Sequence, residues 1–316
     1  MPSATSSTPA YVETLSRIPK ESFLFGPSPI QYLPRLTAEL GCKVEIYAKR
    51  EDCNSSLAYG GNKVRKLVDA KSKHATHLVS VGGVASNHTR AVTATAVASG
   101  LKAVTVQEKW VPIDPPLYDQ TGNILLSRLM GDDEAFAEIE KAGGKPYYIP
   151  AGASDHELGG LGFVNIIVEL AEQEEAQKLP FFDTLLGRGR KVNGIDASGK
   201  PAETKAQGSR IARNTPKLLD DDDTLEIPDE AIVLDQRFHA GIYGIPGPGT
   251  IEAMKFAART DALITDPVYE GKSMDGMRKL ITEGTIKPGI YVLYVHLGGQ
   301  PALNAYSSYF GAEELK

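Results

Sequence analysis

One lysine stands out by its surroundings. Lys63 follows Gly60, Gly61 and Asn62 in the turn-rich stretch EDCNSSLAYGGNKVRKL, with Arg65 and Lys66 just behind it. Three chemistries suit a lysine there: a surface cation in a first helical turn, a phosphate ligand, or an amine that condenses with a carbonyl to form a Schiff base. A P-loop is excluded, because the glycines and Ser/Thr are wrongly spaced for one. A nucleophilic amine needs a lowered pKa, and burial next to other cations supplies it; Arg65 and Lys66 are the candidates. Local chemistry leaves all three open.

Three further groups have chemical potential. In LVSVGGVASNHTR an apolar run ends at Gly82 and Gly83, and Ser86 and Asn87 are good helix N-caps ahead of a small-residue helix. Free backbone N–H groups at such a helix start face any carboxylate or phosphate held there; the plainer reading is that Ser86 only caps the helix. In TDPVYEGKSMDGM, Tyr269 and Glu270 are adjacent after a predicted buried strand, with Ser273 predicted to start a helix. A tyrosine beside a carboxylate suits proton transfer where water is excluded, although most such pairs are surface hydrogen bonds. In HLGGQPALNAY a predicted strand ends at His296 and Leu297 before two glycines, as a ligand-facing turn or a close backbone approach requires.

The elements that must position these groups alternate. KVEIYAK, HLVSVGG and KAVTVQE read as strands, with helices predicted from about Lys63, Ser86 and Gly122; KPYYIPAG, KVNGIDAS, ALITDPVYEGKS and GIYVLYVHLGG extend the pattern to the far end. This is the mark of an α/β fold with parallel sheets, whose ligands collect beyond the carboxyl ends of strands. Residues 1–14 are Ser/Thr/Pro-rich and predicted to be a disordered leader.

Composition narrows the class. With 316 residues, 41% of them hydrophobic, the chain can bury a real core, and a net charge of −6 argues against nucleic acid as a partner. No apolar run approaches the ~20 residues that span a bilayer. A cytoplasmic protein without membrane partners is expected, with Cys42 and Cys53 as reduced thiols. No metal is predicted: His74 and His77, one helical turn apart, lack further ligands, and the acidic run Asp220 to Asp223 reads as a solvated loop.

Taken together, FLFGPSPIQYLPRL, YAKREDCNSSLAYGGNKVRKL, VGGVASNHTR, VQEKWV, IPAGASDHELGGLGFV, ARTDALITDPVYEGKSMDGM and VLYVHLGGQPALNAYS closely resemble the 1-aminocyclopropane-1-carboxylate deaminase family, from about Leu15 to Tyr306. The resemblance implies a fold-type II pyridoxal-phosphate enzyme of the tryptophan-synthase-β type: two open, twisted α/β domains with the cofactor in the cleft. The larger would comprise residues 15–65 plus 151–316, the smaller residues 66–150. By motif match Lys63 would be the Schiff-base lysine and Lys66 a phosphate ligand. Ser86 would bind the substrate carboxylate and assist proton transfer, and Asn87 would meet the cofactor's ring hydroxyl and the substrate. Tyr269 and Tyr243 would be base and nucleophile candidates, Glu270 would sit at the pyridine nitrogen, and Trp110 and Leu297 would line the substrate.

The family's reaction makes these types intelligible. The substrate's α-carbon is quaternary, so ring opening starts by attack on, or proton removal from, a ring methylene while the cofactor takes up electrons. The products implied are 2-oxobutanoate and ammonia, the enzyme being a hydrolase acting on C–N bonds and commonly a homo-oligomer. A D-cysteine desulfhydrase on the same fold is the alternative. Glu270 and Leu297 are the deaminase-type pair.

The chain also departs from the family. Between FFDTLL and KVNGIDAS only Gly187, Arg188, Gly189 and Arg190 remain, where the family has a strand, a phosphate-cradling loop and a crossover helix. A parallel crossover takes about a dozen residues, so the sheet is expected to be rearranged or to lose a strand. A second shortening follows the Gly131–Asp132 region, a milder one lies between Lys66 and Leu78, and His88 stands where the family commonly has Gln. Arg188 or Arg190 with Lys66 would then hold the phosphate, or the chain would be a catalytically impaired family member.

Overall fold

The structure, a computed structural model, describes residues 10–18, 22–66, 73–113, 117–132, 139–156, 158–179, 191–219 and 227–311. Arg188, Arg190, the FFDTLL segment and the Asp220 to Asp223 run lie outside the described residues, as does the side chain of Lys66.

Two three-stranded sheets carry the site. The first has the order β4–β3–β5, all parallel, from β3 (His77–Gly83), β4 (Lys102–Glu108) and β5 (Pro146–Ile149). Its central strand, HLVSVGG, is almost wholly buried, which is why it reads as an apolar run and not as an alternation. Helix α3 (Asn87–Ala98) packs on β3 and β4. Its Ala and Thr side chains let the backbone approach closely, so that nine of its residues, from His88 to Ala96, are buried.

The second sheet has the order β1–β2–β8, from β1 (Ile30–Tyr32), β2 (Glu45–Arg50) and β8 (Tyr291–His296). Strand β8 runs parallel to β2, with His296 opposite Arg50, and β1 is antiparallel. Against it lie α2 (Pro34–Glu39), α7 (Pro248–Asp261) and α8 (Glu270–Thr282), around a core that includes Leu36, Ile46, Ala257, Met274 and Ile281. Both carboxyl edges are marked by glycines: Gly82 and Gly83 close β3, and Gly298 and Gly299 follow β8.

The expected disturbance near KVNGIDAS is visible. Among the described residues, β6 (Asn193–Ile195) pairs only with β7 (Val233–Asp235), in a separate parallel two-stranded sheet. Among the described residues the remaining α-helices are α1 (Ala10–Arg17), α4 (Asn123–Leu129), α5 (Leu161–Gln177) and α6 (Pro201–Asn214).

Five local expectations are corrected. The predicted leader overlaps α1, which begins at Ala10 because Leu15 has a core to enter, with Leu161 and Leu219. ALITD enters no strand among the described residues, and α8 starts at Glu270, not at Ser273. The cause is Asp266, whose carboxylate accepts the Val268, Tyr269 and Glu270 N–H groups at 2.8, 3.0 and 3.1 Å and so starts the helix early. His74 and His77 share no helix, since His74 is in a left-handed turn and His77 begins β3. The helix expected from Lys63 is, over Asn62–Lys66, a 3-10 turn. No helix among the described residues is long and apolar enough to cross a membrane, and no group of three or more described His, Cys, Asp or Glu residues could hold a metal ion.

Candidate active site

The turn before Lys63 is held in an unusual conformation. Ala58, Tyr59, Gly60 and Gly61 all have positive φ, from 42° to 99°, a region that glycine accepts readily and the other two only under restraint. The restraints are hydrogen bonds: the Asn62 N–H donates to the Leu297 carbonyl at 2.9 Å, and the Gly61 N–H to Asn54 Oδ1 at 3.1 Å. Leu297 thereby ties the end of β8 to the Lys63 turn. The lysine's Nζ lies near Gly152, where an added Cβ would be 3.7 Å away.

Arg65 does not act on that amine in the expected way. Its guanidinium is buried and bound to Glu51 and Glu169, with Nη1 at 2.6 Å from Glu169 Oε1 and Nη2 at 2.9 Å from Glu51 Oε1. Burial alone would lower its pKa, but the hydrogen bonds to Glu169 and Glu51 outweigh that and raise it. Lys49, also buried, joins Glu169 at 3.2 Å. This network anchors α5 to β2 and to the Lys63 turn, so the charge of Arg65 is spent on position.

Across the cleft, Ser86 caps α3 and its Oγ accepts the His88 and Thr89 N–H groups at 3.1 and 3.3 Å. Asn87 opens the helix and accepts at Oδ1 from Asn123 Nδ2 at 2.8 Å. A Cβ on Gly299 would lie 3.0 Å from Asn87 Nδ2 and 2.7 Å from Asp266 Oδ2. The β8 turn, the start of α3 and the start of α8 therefore converge on one glycine, itself at φ 99°. Trp110 stands at the end of β4, 42% exposed, with its ring beside Gly83 and Nε1 donating to Glu108.

Glu270 is buried and accepts from Tyr294 Oη at 2.6 Å. Burial, then the neighbouring Asp266 charge, push its carboxyl well above the usual carboxylate range. Asp266 is itself raised to about 6 by burial, against three backbone N–H bonds that pull it down. His296 contributes no charge here. Its Nε2 donates to the Ile264 carbonyl and its Nδ1 accepts from Gly298, while burial lowers its pKa, so it is neutral.

Tyr243 and Tyr269 meet oxygen to oxygen at 2.5 Å with their rings edge to face. Burial raises Tyr243, partly offset by the bond to Tyr269. Desolvation raises Tyr269 further, through the packed wall around it, although 38% of the residue is open to solvent. Asp266 raises both. Both phenols are therefore neutral here, and a tyrosinate requires a positive charge brought in with a ligand. Val84 and Ala85, between β3 and α3, pack in the same apolar cluster as Tyr243, so the two sides of the cleft touch.

The structure thus gathers Asn87, Glu270, Tyr269 and Tyr243, with Leu297 tying the end of β8 to the Lys63 turn, whereas Ser86 is engaged as a cap. Sequence reasoning missed Asp266, Arg90, Asn123 and Tyr294. Only Asp266 left a signal, as an Asp before the Pro-Val-Tyr turn that precedes a helix.

Comparison with known proteins places the chain in a family. A family described as pyridoxal-phosphate dependent enzyme matches residues 21–298. A probable 1-aminocyclopropane-1-carboxylate deaminase of Cryptococcus neoformans is 64% identical, covering 96% of this chain and 99% of the relative. A 1-aminocyclopropane-1-carboxylate deaminase of Burkholderia multivorans is 48% identical, over 94% of this chain and 98% of its own. A crystal structure of an ACC deaminase homologue superposes with a TM-score of 0.74 at 25% identity, covering 98% of this chain and 99% of that one. The alignment with the Cryptococcus relative runs to 344 positions but covers 96% of 316 residues, so about forty of its positions meet gaps in this chain. By near full-length similarity the chain belongs to the pyridoxal-phosphate dependent enzyme family, and within it to the 1-aminocyclopropane-1-carboxylate deaminases.

Proposed function

We propose that the chain is a pyridoxal-phosphate-dependent deaminase that opens the ring of 1-aminocyclopropane-1-carboxylate to give 2-oxobutanoate and ammonia. The observation that carries this choice over D-cysteine desulfhydration is the deaminase-type pair itself, Glu270 and Leu297, with Glu270 buried and bonded to Tyr294 of β8, on a chain similar to the deaminases over nearly its whole length.

The residues present fit the cofactor. Glu270 is a buried acid whose strongest influences are burial, Asp266, Tyr294, the Leu297 N–H and Asp52, none of them a cation. A protonated ring nitrogen is the partner such a group lacks. Asn87 keeps Nδ2 free of Asn123 for a ring hydroxyl, and Lys63 offers the amine. Lys66, with Arg188 or Arg190, is the candidate for the phosphate.

When bound, pyridoxal phosphate supplies the electron sink that ring opening needs. The chain's own groups do the rest. Ser86 Oγ accepts the His88 and Thr89 N–H groups as a cap, and its hydroxyl hydrogen remains to donate to the substrate carboxylate. Tyr269 and Tyr243 share a hydrogen bond, so one can take or deliver a proton, or attack, while the other stabilises its oxygen. Trp110 and Leu297 bound the substrate and exclude water.

The same reading assigns residues 15–65 with 151–316 to a larger domain and 66–150 to a smaller one, supported by the two separate three-stranded sheets. It also takes the enzyme to be a cytoplasmic homo-oligomer, in keeping with two exposed, unpaired cysteines, Cys42 and Cys53. The test is product analysis with the cyclopropane amino acid and with D-cysteine. Release of 2-oxobutanoate as the faster reaction is expected; faster release of sulfide from D-cysteine would overturn the assignment.

A further inference from the structure

Asn87 can donate to a ligand only if its amide is turned the right way round. Its Oδ1 is occupied by Asn123 Nδ2 at 2.8 Å, leaving Nδ2 toward the Gly299 turn. Asn123, fully buried, is locked at both ends: Oδ1 accepts from Arg90 Nε at 2.7 Å, and Nδ2 also donates to the Ala85 carbonyl at 2.8 Å. A guanidinium only donates and a carbonyl only accepts. Turning Asn123 over would oppose donor to donor at one end and acceptor to acceptor at the other. Arg90, 1% exposed, is fixed in turn by the Ala58 carbonyl and by that of Gly60, 3.2 Å from Nη1. Both carbonyls belong to the positive-φ turn ahead of Lys63.

We infer that Arg90 and Asn123 are positioning residues: a hydrogen-bond relay in which the buried guanidinium sets the amide direction of Asn123, and through it that of Asn87, so that Asn87 presents N–H to an oxygen of the bound group. The same guanidinium clamps the Lys63 turn, which registers the amine and the amide from one point. A neutral residue at Arg90 could accept as well as donate and would lose this polarity. The inference rests on the reading above that Asn87 meets the cofactor's ring hydroxyl.

The discriminating variant is Asn123→Asp. It keeps the shape and the acceptor for Arg90 but replaces the donor shared by Asn87 and the Ala85 carbonyl with a carboxylate oxygen, so Asn87 turns over and presents its oxygen to the ligand. Pyridoxal phosphate is titrated into wild type, N123D, N87A and the double variant, following the visible absorbance of the bound cofactor and its pH dependence. N123D is expected to bind about tenfold more weakly, the scale of one lost hydrogen bond against a buried partner, with a displaced absorbance pH profile. In the N87A background N123D should add nothing further. Unchanged binding and profile in N123D, or full additivity with N87A, would overturn the relay. If N123D does not fold, Asn87→Asp asks the same question from the ligand side: it keeps the bond from Asn123, replaces the outward N–H with a carboxylate oxygen, and should show at least the same loss. Wild-type behaviour of N87D would likewise overturn the relay. Wild-type binding and absorbance in N87A would instead overturn the cofactor contact on which it rests.

Discussion

Replacing Arg65 by Met would test whether the site is held from behind by a buried ionic network. Arg65 and Glu51 are both fully enclosed, and the side chain of Glu169 is 15% exposed. Removing the guanidinium strands two carboxylates: Glu51 keeps Ser28 and Asn54, and Glu169 keeps Lys49. Breaking a buried pair from one side costs about 3–5 kcal/mol, and the surviving partners place the cost at the low end, about 3 kcal/mol. For a chain of this size that is a fall in Tm of about 4–5 °C. The pH dependence adds a sign. Burial raises the Glu169 carboxyl, but the Arg65 hydrogen bonds and the charges of Arg65 and Lys49 outweigh it, so its folded pKa is depressed. Such a group stabilises the fold above the ordinary carboxylate pKa, and the contribution is lost as pH falls through the folded value. Calorimetry at pH 7 and pH 4 should therefore find the wild-type advantage over R65M large at the first and smaller at the second. A Tm difference below about 2 °C at pH 7, under the ~1 kcal/mol it would represent, or one that does not shrink on acidification, would refute the reasoning.

Two further outcomes follow from the acids and phenols of the cleft. The folded pKa of Glu270 is raised, so stability of the cofactor-free protein falls as pH climbs above the ordinary carboxylate pKa; Glu270→Gln should melt higher than wild type near pH 7, match it near pH 4, and bind pyridoxal phosphate more weakly. A melting point lower than wild type at pH 7 would mean that the carboxyl is paired and not stranded. Tyr269→Phe removes one partner of the 2.5 Å phenol pair; steady-state kinetics should show kcat reduced about 10²-fold or more with cofactor absorbance retained, whereas an unchanged kcat would remove Tyr269 from proton transfer or attack.

Much of the site was legible because local rules fixed it. Ser86 caps α3 where N-cap chemistry predicted, and HLVSVGG and KAVTVQE are strands with the predicted limits. What failed depended on partners far away in sequence. ALITD is apolar and rich in β-formers, but no strand pairs with it among the described residues, and Asp266 draws the following backbone into α8. Arg65 looked like a cation placed to tune Lys63; its partner Glu169 lies 104 residues away, where no spacing rule reaches. Arg90 sits in an otherwise small-residue helix and would pass for a surface residue, yet it is buried against carbonyls of another loop. The separation of β6 and β7 from the other strands was foreseen only in kind, because the short linker forbids a crossover without saying which strand gives way.

The most direct measurement is cofactor occupancy. Protein purified in the presence of pyridoxal phosphate should be yellow, with close to one cofactor per chain, and the visible band of the covalently held cofactor should be absent from Lys63→Ala. A colourless wild-type protein, or a Lys63→Ala variant that keeps the same band, would contradict Lys63 as the residue that holds the cofactor.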